Sequence, residues 1–267
     1  MALHLYLSPH LDDAVLSCGG LIYRQARAGD EARVLTVFAG DPPPGDGSAF
    51  AEELKQRWHG QADPVGLRRA EDRAALSRLG ASGEHWEYPD CVFRRDPGSG
   101  QPYYVDRDAI FGDVHPSERT ALVEALASRL QAYCARERPA TIYSLLTAGH
   151  HVDHQLLQWA SRRLAARGWD LCYYEDYPYA EEPERLQAAL AATGDAWQAQ
   201  LEPMTEEALQ AKIEAIACYA SQMSSLFEDG AMPRRVRAYA QGLLPGGLAE
   251  RFWRVGGSLA GSRRVRP

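Results

Sequence analysis

Two short polar clusters in this chain hold the residue types from which hydrolytic metal sites are built. Ser8-Pro9-His10-Leu11-Asp12-Asp13 follows one apolar run, and Gly149-His150-His151-Val152-Asp153-His154 follows another. Burying an ionised carboxylate without a partner is expensive, so two adjacent ones beside a histidine need a counter-charge, which a metal cation would supply. Zinc sites that perform hydrolysis use three His or Asp/Glu ligands and leave the fourth position to water. His10, Asp13 and His154 would make such a set, with Asp12 left as a base and His151 with Asp153 as a second polar pair. A residue three places beyond His10 can swing back across a strand-to-helix turn to the same point, but spacing alone does not settle which groups ligate.

The elements that must position these clusters follow from periodicity. Leu3 to Leu7 and "EARVLTVFAG" are apolar runs too continuous for a half-exposed hairpin and predict central strands. Between them "DDAVLSCGGLIYRQARAGD" has helical length, acids in its first turn and an exit at Gly29, which gives a βαβ unit. "LRRAEDRAALSRLG", "ERTALVEALASRLQAYCARERP" and "HQLLQWASRRLAARG" predict further helices, and "EHWEYP", "ATIYSLLT" and "DLCYYEDYP" further strands. This alternation predicts an α/β fold with a mostly parallel, Rossmann-like sheet and helices on both faces. Ligands bind outside the carboxyl ends of such strands, where both polar clusters fall.

Two segments, "GDPPPGDGSAF" and "YPDCVFRRDPGSGQPYYVDRDAIFGDVHPSE", interrupt the alternation and are expected as loops walling the site. After Tyr179 the pattern becomes mainly helical, with Leu209, Ile213, Ile216, Ala217, Ala220 and Met223 as a stripe against the core. Residues 1–179 are therefore expected as a catalytic core and 180–267 as a mostly helical extension packed on it, or the whole as one domain.

The chain has 267 residues, 45% hydrophobic and 24% charged, with a net charge of −7. That length can bury a sizeable core. The negative balance argues against broad attachment to nucleic acid, and no apolar run is long enough to span a bilayer. The start lacks the basic region and cleavage site of a secretory signal, so a cytoplasmic location is expected. Five scattered cysteines without CxxC spacing suggest neither a disulfide frame nor a thiolate zinc knuckle. The basic tail "GSRRVRP" is read as a solvated terminus.

The motifs resemble those of the PIG-L or LmbE-like family of zinc-dependent N-acetylglucosaminyl de-N-acetylases. The family's His-Pro-Asp-Asp-Glu stands here as His10-Leu11-Asp12-Asp13-Ala14, and its His-x-Asp-His as His151-Val152-Asp153-His154. Leu11 and Ala14 depart from the pattern without removing a presumed ligand or base. The resemblance implies one zinc per chain on His10, Asp13 and His154, with Asp12 as general base. It also implies His151 as the electrophilic or acid partner, held by Asp153, which would favour its imidazolium form. In "LRRAED", Arg68 and Glu71 match an Arg-x-x-Glu element whose arginine touches substrate in some members. Asp90, in "YPDCVFR", is a candidate wall of the sugar pocket, and "YEDYPYA" and "KIEAIACYASQ" also resemble a bacterial branch. The implied substrate is a small N-acetylated sugar or glycoconjugate, with no nucleic-acid or membrane partner and room for a homo-oligomer.

Blander roles exist for several of these residues. Asp12 and Asp13 could simply favour a helix N-terminus, Asp90 could be turn chemistry, and Gly19-Gly20 is better explained by close helix packing than by phosphate binding. Trp58, Trp86 and Trp159 could stack on a sugar or pack internally. A metallophosphoesterase and a non-catalytic sugar-binding relative are the rival functions; the first would need more ligands than His10, Asp13 and His154.

Overall fold

The structure is a computed structural model that describes residues 1–45, 47–58, 63–227 and 230–256. The basic tail therefore lies outside the described residues. In chain order the core elements are β1 (Leu3–Ser8), α1 (Asp13–Arg27), β2 (Glu31–Thr36), α2 (Ala49–Arg57), α3 (Pro64–Leu79), β3 (Ser82–His85), α4 (Arg107–Ile110), α5 (Pro116–Glu137), β4 (Thr141–Leu145), α6 (Val152–Ala165) and β5 (Leu171–Tyr174). They are followed by α7 (Pro183–Ala191), β6 (Trp197–Pro203), α8 (Glu206–Ile216), α9 (Ala220–Leu226), α10 (Met232–Leu243) and β7 (Ala249–Val255).

The sheet runs in the order β3-β2-β1-β4-β5-β7-β6. The chain builds outward from β1 through β2 to β3, then returns to place β4 on the other side of β1, all in parallel pairings. The strand order therefore reverses between β1 and β4, and both polar clusters emerge there, at adjacent carboxyl ends. Leu5, Leu7, Leu35, Ile142 and Leu145 are wholly buried, as expected of parallel strands covered on both faces.

The sheet is mixed rather than parallel throughout. β7 pairs antiparallel with β5 through Tyr173 and Trp253, and β6 pairs antiparallel with β7 along its length. The segment after residue 180 is mainly helical, with α7, α8, α9 and α10, and it adds two strands to the core sheet. The stripe drawn through residues 209–223 is corrected, because the chain turns between α8 and α9. Leu209, Ile213 and Ile216 are buried, whereas Ala217 and Ala220 are exposed.

The Gly19-Gly20 pair permits close packing, as expected. A methyl group on Gly19 would fall 2.8 Å from Cγ of the buried Lys212, and one on Gly20 would overlap the Met204 sulfur. Gly40 matters more directly to the site. Its N–H donates to the Tyr88 carbonyl at 2.9 Å, and a Cβ there would overlap the Glu87 carbonyl oxygen. This contact docks the segment that delivers Asp90. Backbone cannot retreat as a flexible side chain can, so Gly40→Ala is expected to destabilise the fold by about 1–3 kcal/mol. A thermal melt checks this, and an unchanged Tm would contradict it.

Candidate metal centre

The approach to α1 frees both aspartates from capping. Ser8 Oγ accepts from the Ala14 N–H at 3.1 Å and donates to the His10 carbonyl at 2.7 Å, while Asp12 makes no side-chain cap bond. Both aspartates do stand at the N-terminus of α1, Asp12 as its N-cap residue and Asp13 in its first turn, without Asp12 spending its carboxylate on a capping bond. Asp13 Oδ2 accepts from the His10 backbone N–H at 2.8 Å, which folds the turn back on itself.

Two imidazole nitrogens face one carboxylate oxygen. Asp13 Oδ2 lies 3.3 Å from His10 Nδ1 and 3.4 Å from His154 Nε2. A tetrahedral ion with zinc's bond lengths of roughly 2.0–2.1 Å separates its ligand atoms by about 3.3–3.4 Å. The other nitrogen of each imidazole faces a carboxylate: His10 Nε2 is 2.9 Å from Asp153 Oδ2, and His154 Nδ1 is 2.8 Å from Asp176 Oδ1. Those contacts place the ring protons on His10 Nε2 and His154 Nδ1 and leave lone pairs towards Asp13, an arrangement typical of metal-binding histidines.

Electrostatics favour a cation at the same point. Burial alone would lower the pKa of His10, yet its contacts with Asp13 and Asp153 hold it well above the usual imidazole value. His154 is held at about 9, against burial, by Asp13 and Asp176. The Asp13 carboxyl, despite burial, is held well below the usual range by His154 and His10. The donor types, separations and charge all fit zinc.

His151 is also close: its ligand-capable nitrogen lies within 4.8 Å of those of His10 and His154. Its tautomer sets it apart. His151 caps α6, and its Nδ1 accepts from the Asp153 backbone N–H at 3.2 Å, so the proton resides on Nε2. A protonated Nε2 cannot ligate, but it can donate. Burial, followed by the neighbouring His10 charge, holds the His151 pKa well below its ordinary value. That direction is away from the imidazolium form expected from the sequence.

The expected side-chain pairing of Asp153 with His151 is corrected as well. Asp153 is wholly buried, and its carboxylate holds His10, accepts from the Cys91 N–H at 3.1 Å and lies 2.6 Å from Arg94 Nη2. Towards His151 its hydrogen bond comes from the backbone N–H.

Asp12 stands beside this point without joining it. Burial, then the charge of Asp13, push its carboxyl up to about 6, with Arg68 opposing from 3.7 Å. Arg68 is buried over the Trp58 ring at 4.7 Å, and its Nε–H has no hydrogen-bond partner among the described residues. Glu71 instead turns away, accepting from the Ser221 N–H at 2.9 Å and hydroxyl at 2.6 Å. Asp90 Oδ2 approaches His10 Nε2 to 3.8 Å while Oδ1 accepts from the Val92 N–H at 3.2 Å, so it is both turn residue and site wall.

A cleft of about 760 Å³ opens over these groups. His10, Asp12, Asp13, Arg68, Asp90, His151 and His154 line it, together with Phe50, Leu54 and Trp58 from α2 and its C-cap. Phe111 and Tyr179 form another wall, with the Phe111 ring 5.4 Å from that of His151. Both interrupting segments thus contribute walls, and Trp58 lines the cleft while Trp86 and Trp159 do not. Sequence reasoning missed Ser8, Arg94 and Asp176. Asp176 had one available signal, a pair of acids just after an apolar strand end in "CYYED".

Comparison with known proteins places the chain among deacetylases. The PIG-L family, described as GlcNAc-PI de-N-acetylase, matches residues 5–165. A 2′-N-acetylparomamine deacetylase of Niallia circulans is 28% identical over 240 residues, covering 85% of this chain and 83% of that one. A 1D-myo-inositol 2-acetamido-2-deoxy-alpha-D-glucopyranoside deacetylase of Mycobacterium sp. (strain KMS) is 33% identical over 110 residues, 39% of this chain and 34% of its own. The crystal structure of the zinc-inhibited form of teicoplanin deacetylase Orf2 superposes with a TM-score of 0.81 at 27% identity, covering 94% of this chain and 97% of that one.

Proposed function

The chain belongs to the PIG-L family and is a metal-dependent amidohydrolase with zinc as its cofactor; on that premise, we propose that it removes the N-acetyl group from a GlcNAc-type sugar or small glycoconjugate. The observation that carries this reading is the meeting of the His10 Nδ1, Asp13 Oδ2 and His154 Nε2 lone pairs beside an uncommitted Asp12. We assign the first three as ligands of one ion per chain. When bound, zinc acidifies a water and polarises the amide carbonyl.

The protein's own groups then divide the work. Asp12 takes the proton of the attacking water. His151 donates its Nε2–H to the carbonyl oxygen as negative charge develops there. Asp12, having taken the water proton, also delivers a proton to the departing amine. Arg68, with a donor unused, and Asp90 bind the sugar. Asp153 acts through His10 rather than on the substrate.

The direct test is amine release from GlcNAc, GlcNAc-malate and chitobiose, with and without a zinc chelator. Release that stops with chelation and returns with zinc is expected; zinc-loaded protein that releases no amine from any N-acetylated sugar would instead support a non-catalytic relative. A second bound metal together with phosphate-ester cleavage would favour the phosphoesterase.

His151→Ala is expected to retain zinc and lose about 10²–10³ in kcat, the usual cost of removing an oxyanion donor. Metal analysis and turnover of the purified variant check both halves. A zinc-free His151→Ala protein would contradict its assignment as a donor.

A further inference from the structure

We propose that Arg94 and Glu118 are positioning residues that set the metal affinity of the site, acting on His10 through Asp153. This rests on the assignment of His10 as a ligand made above. Neither residue lines the catalytic cleft.

The contacts form an unbroken chain. Tyr104 donates its hydroxyl to Glu118 Oε2 at 2.5 Å, and Arg94 Nε donates to Glu118 Oε1 at 2.5 Å. Arg94 Nη2 lies 2.6 Å from Asp153 Oδ1 as a charge contact, while Asp153 Oδ2 meets His10 Nε2 at 2.9 Å. Arg94 is fixed further by Nη1, which donates to the Pro89 carbonyl at 3.1 Å, and by the Phe38 ring 5.0 Å away. Arg94 is 9% exposed, Glu118 4% and Asp153 0%, so solvent screens these charges little.

Arg94 Nη2 holds one oxygen of the buried Asp153 carboxylate while the other holds the His10 ring, so the guanidinium fixes where that carboxylate can sit. With Asp153 so placed, His10 Nε2 is engaged and Nδ1 is aimed at Asp13. Without Arg94, a displaced Asp153 would leave the imidazole free to turn and would take Nδ1 off the point it shares with Asp13. Glu118 holds the guanidinium in place, and the Tyr104 hydroxyl satisfies the second Glu118 oxygen. Arginine suits the position because its rigid fork reaches two carboxylates at once, whereas a lysine ammonium would have to favour one.

The test measures zinc affinity by chelator competition and the absorption spectrum of the cobalt-substituted protein, with a thermal melt to register folding. Arg94→Met is expected to weaken zinc binding about 10–100-fold, the usual loss for a partner of a metal-bound histidine, and to alter the cobalt spectrum. Arg94→Lys should recover part of the affinity, and Glu118→Gln should weaken it less than Arg94→Met. A folded Arg94→Met protein with wild-type zinc affinity and cobalt spectrum would overturn the proposal. Should Arg94→Met fail to fold, wild-type affinity in both Arg94→Lys and Glu118→Gln would overturn it equally. His10→Ala separates the two levels: wild-type zinc affinity there defeats the ligand assignment itself, whereas lost affinity there with no effect in the Arg94 variants defeats only this inference.

Discussion

Asp12→Asn is expected to bind zinc as the wild type does and to lose about 10²–10⁴ in kcat, the span a positioned general base contributes. The amide matches the carboxylate in shape but cannot accept the water proton or return one to the amine. Zinc should be retained because Asp12 stands outside the point where His10, Asp13 and His154 meet, facing Arg68 at 3.7 Å. Folding should change little, since the substitution removes a charge that Asp13 opposes as well as one that Arg68 attracts. Acetate release and zinc content, measured on the same preparation, check the expectation. A rate within tenfold of wild type would show that another group serves as base.

Asp13→Ala and His154→Ala are expected to lose the metal itself. Asp13 Oδ2 is the atom common to both imidazole contacts, so its removal leaves two histidines with no shared third ligand. His154 is 2% exposed and its ring is fixed by Asp176, so its Nε2 is held towards Asp13 and its removal leaves a gap on that side. Loss of a direct ligand should exceed the roughly 10–100-fold penalty typical of losing an outer partner, and turnover should fall to background. Chelator competition and elemental analysis give the affinity and the stoichiometry. The contrast with His151→Ala and Asp12→Asn is informative: two variants without metal and two inactive variants that retain it.

The parts of the site legible in the sequence were those written contiguously. His10, Asp12 and Asp13 sit within four residues, and His151, Asp153 and His154 within four more, each just after an apolar run. The βαβ alternation put both runs at strand ends of one sheet, where β1 and β4 are indeed neighbours. The roles of Asp153 and His151 were less legible because a backbone contact decides them. Only the capping geometry at the start of α6 turns His151 Nδ1 onto the Asp153 N–H and sends the Asp153 carboxylate to His10. Arg94 and Glu118 were hidden for a different reason: they lie in and beyond a long irregular segment, and a buried ion pair 24 residues apart leaves no periodic trace.

The strands β6 and β7 escaped for lack of pattern. In β6, "WQAQLEP" is exposed over most of its length and shows no clean alternation of apolar and polar residues, so its membership in the sheet comes from pairing with β7 rather than from a buried face. The helical stripe failed at Ala217, where α8 has ended and the following turn rotates Ala220 outward. Cys18, Cys91, Cys134 and Cys172 are buried free thiols, and Cys218 is partly exposed.

The claim on which the chemistry depends is most directly tested by anomalous diffraction at the zinc edge from crystals of the zinc-loaded protein. The expected result is one strong peak per chain, about 2.0–2.2 Å from His10 Nδ1, Asp13 Oδ2 and His154 Nε2, with Asp12 and His151 beside it and unbound. A peak bonded instead to His151 Nε2 or to Cys91 Sγ, or one that leaves Asp13 out, would contradict the account.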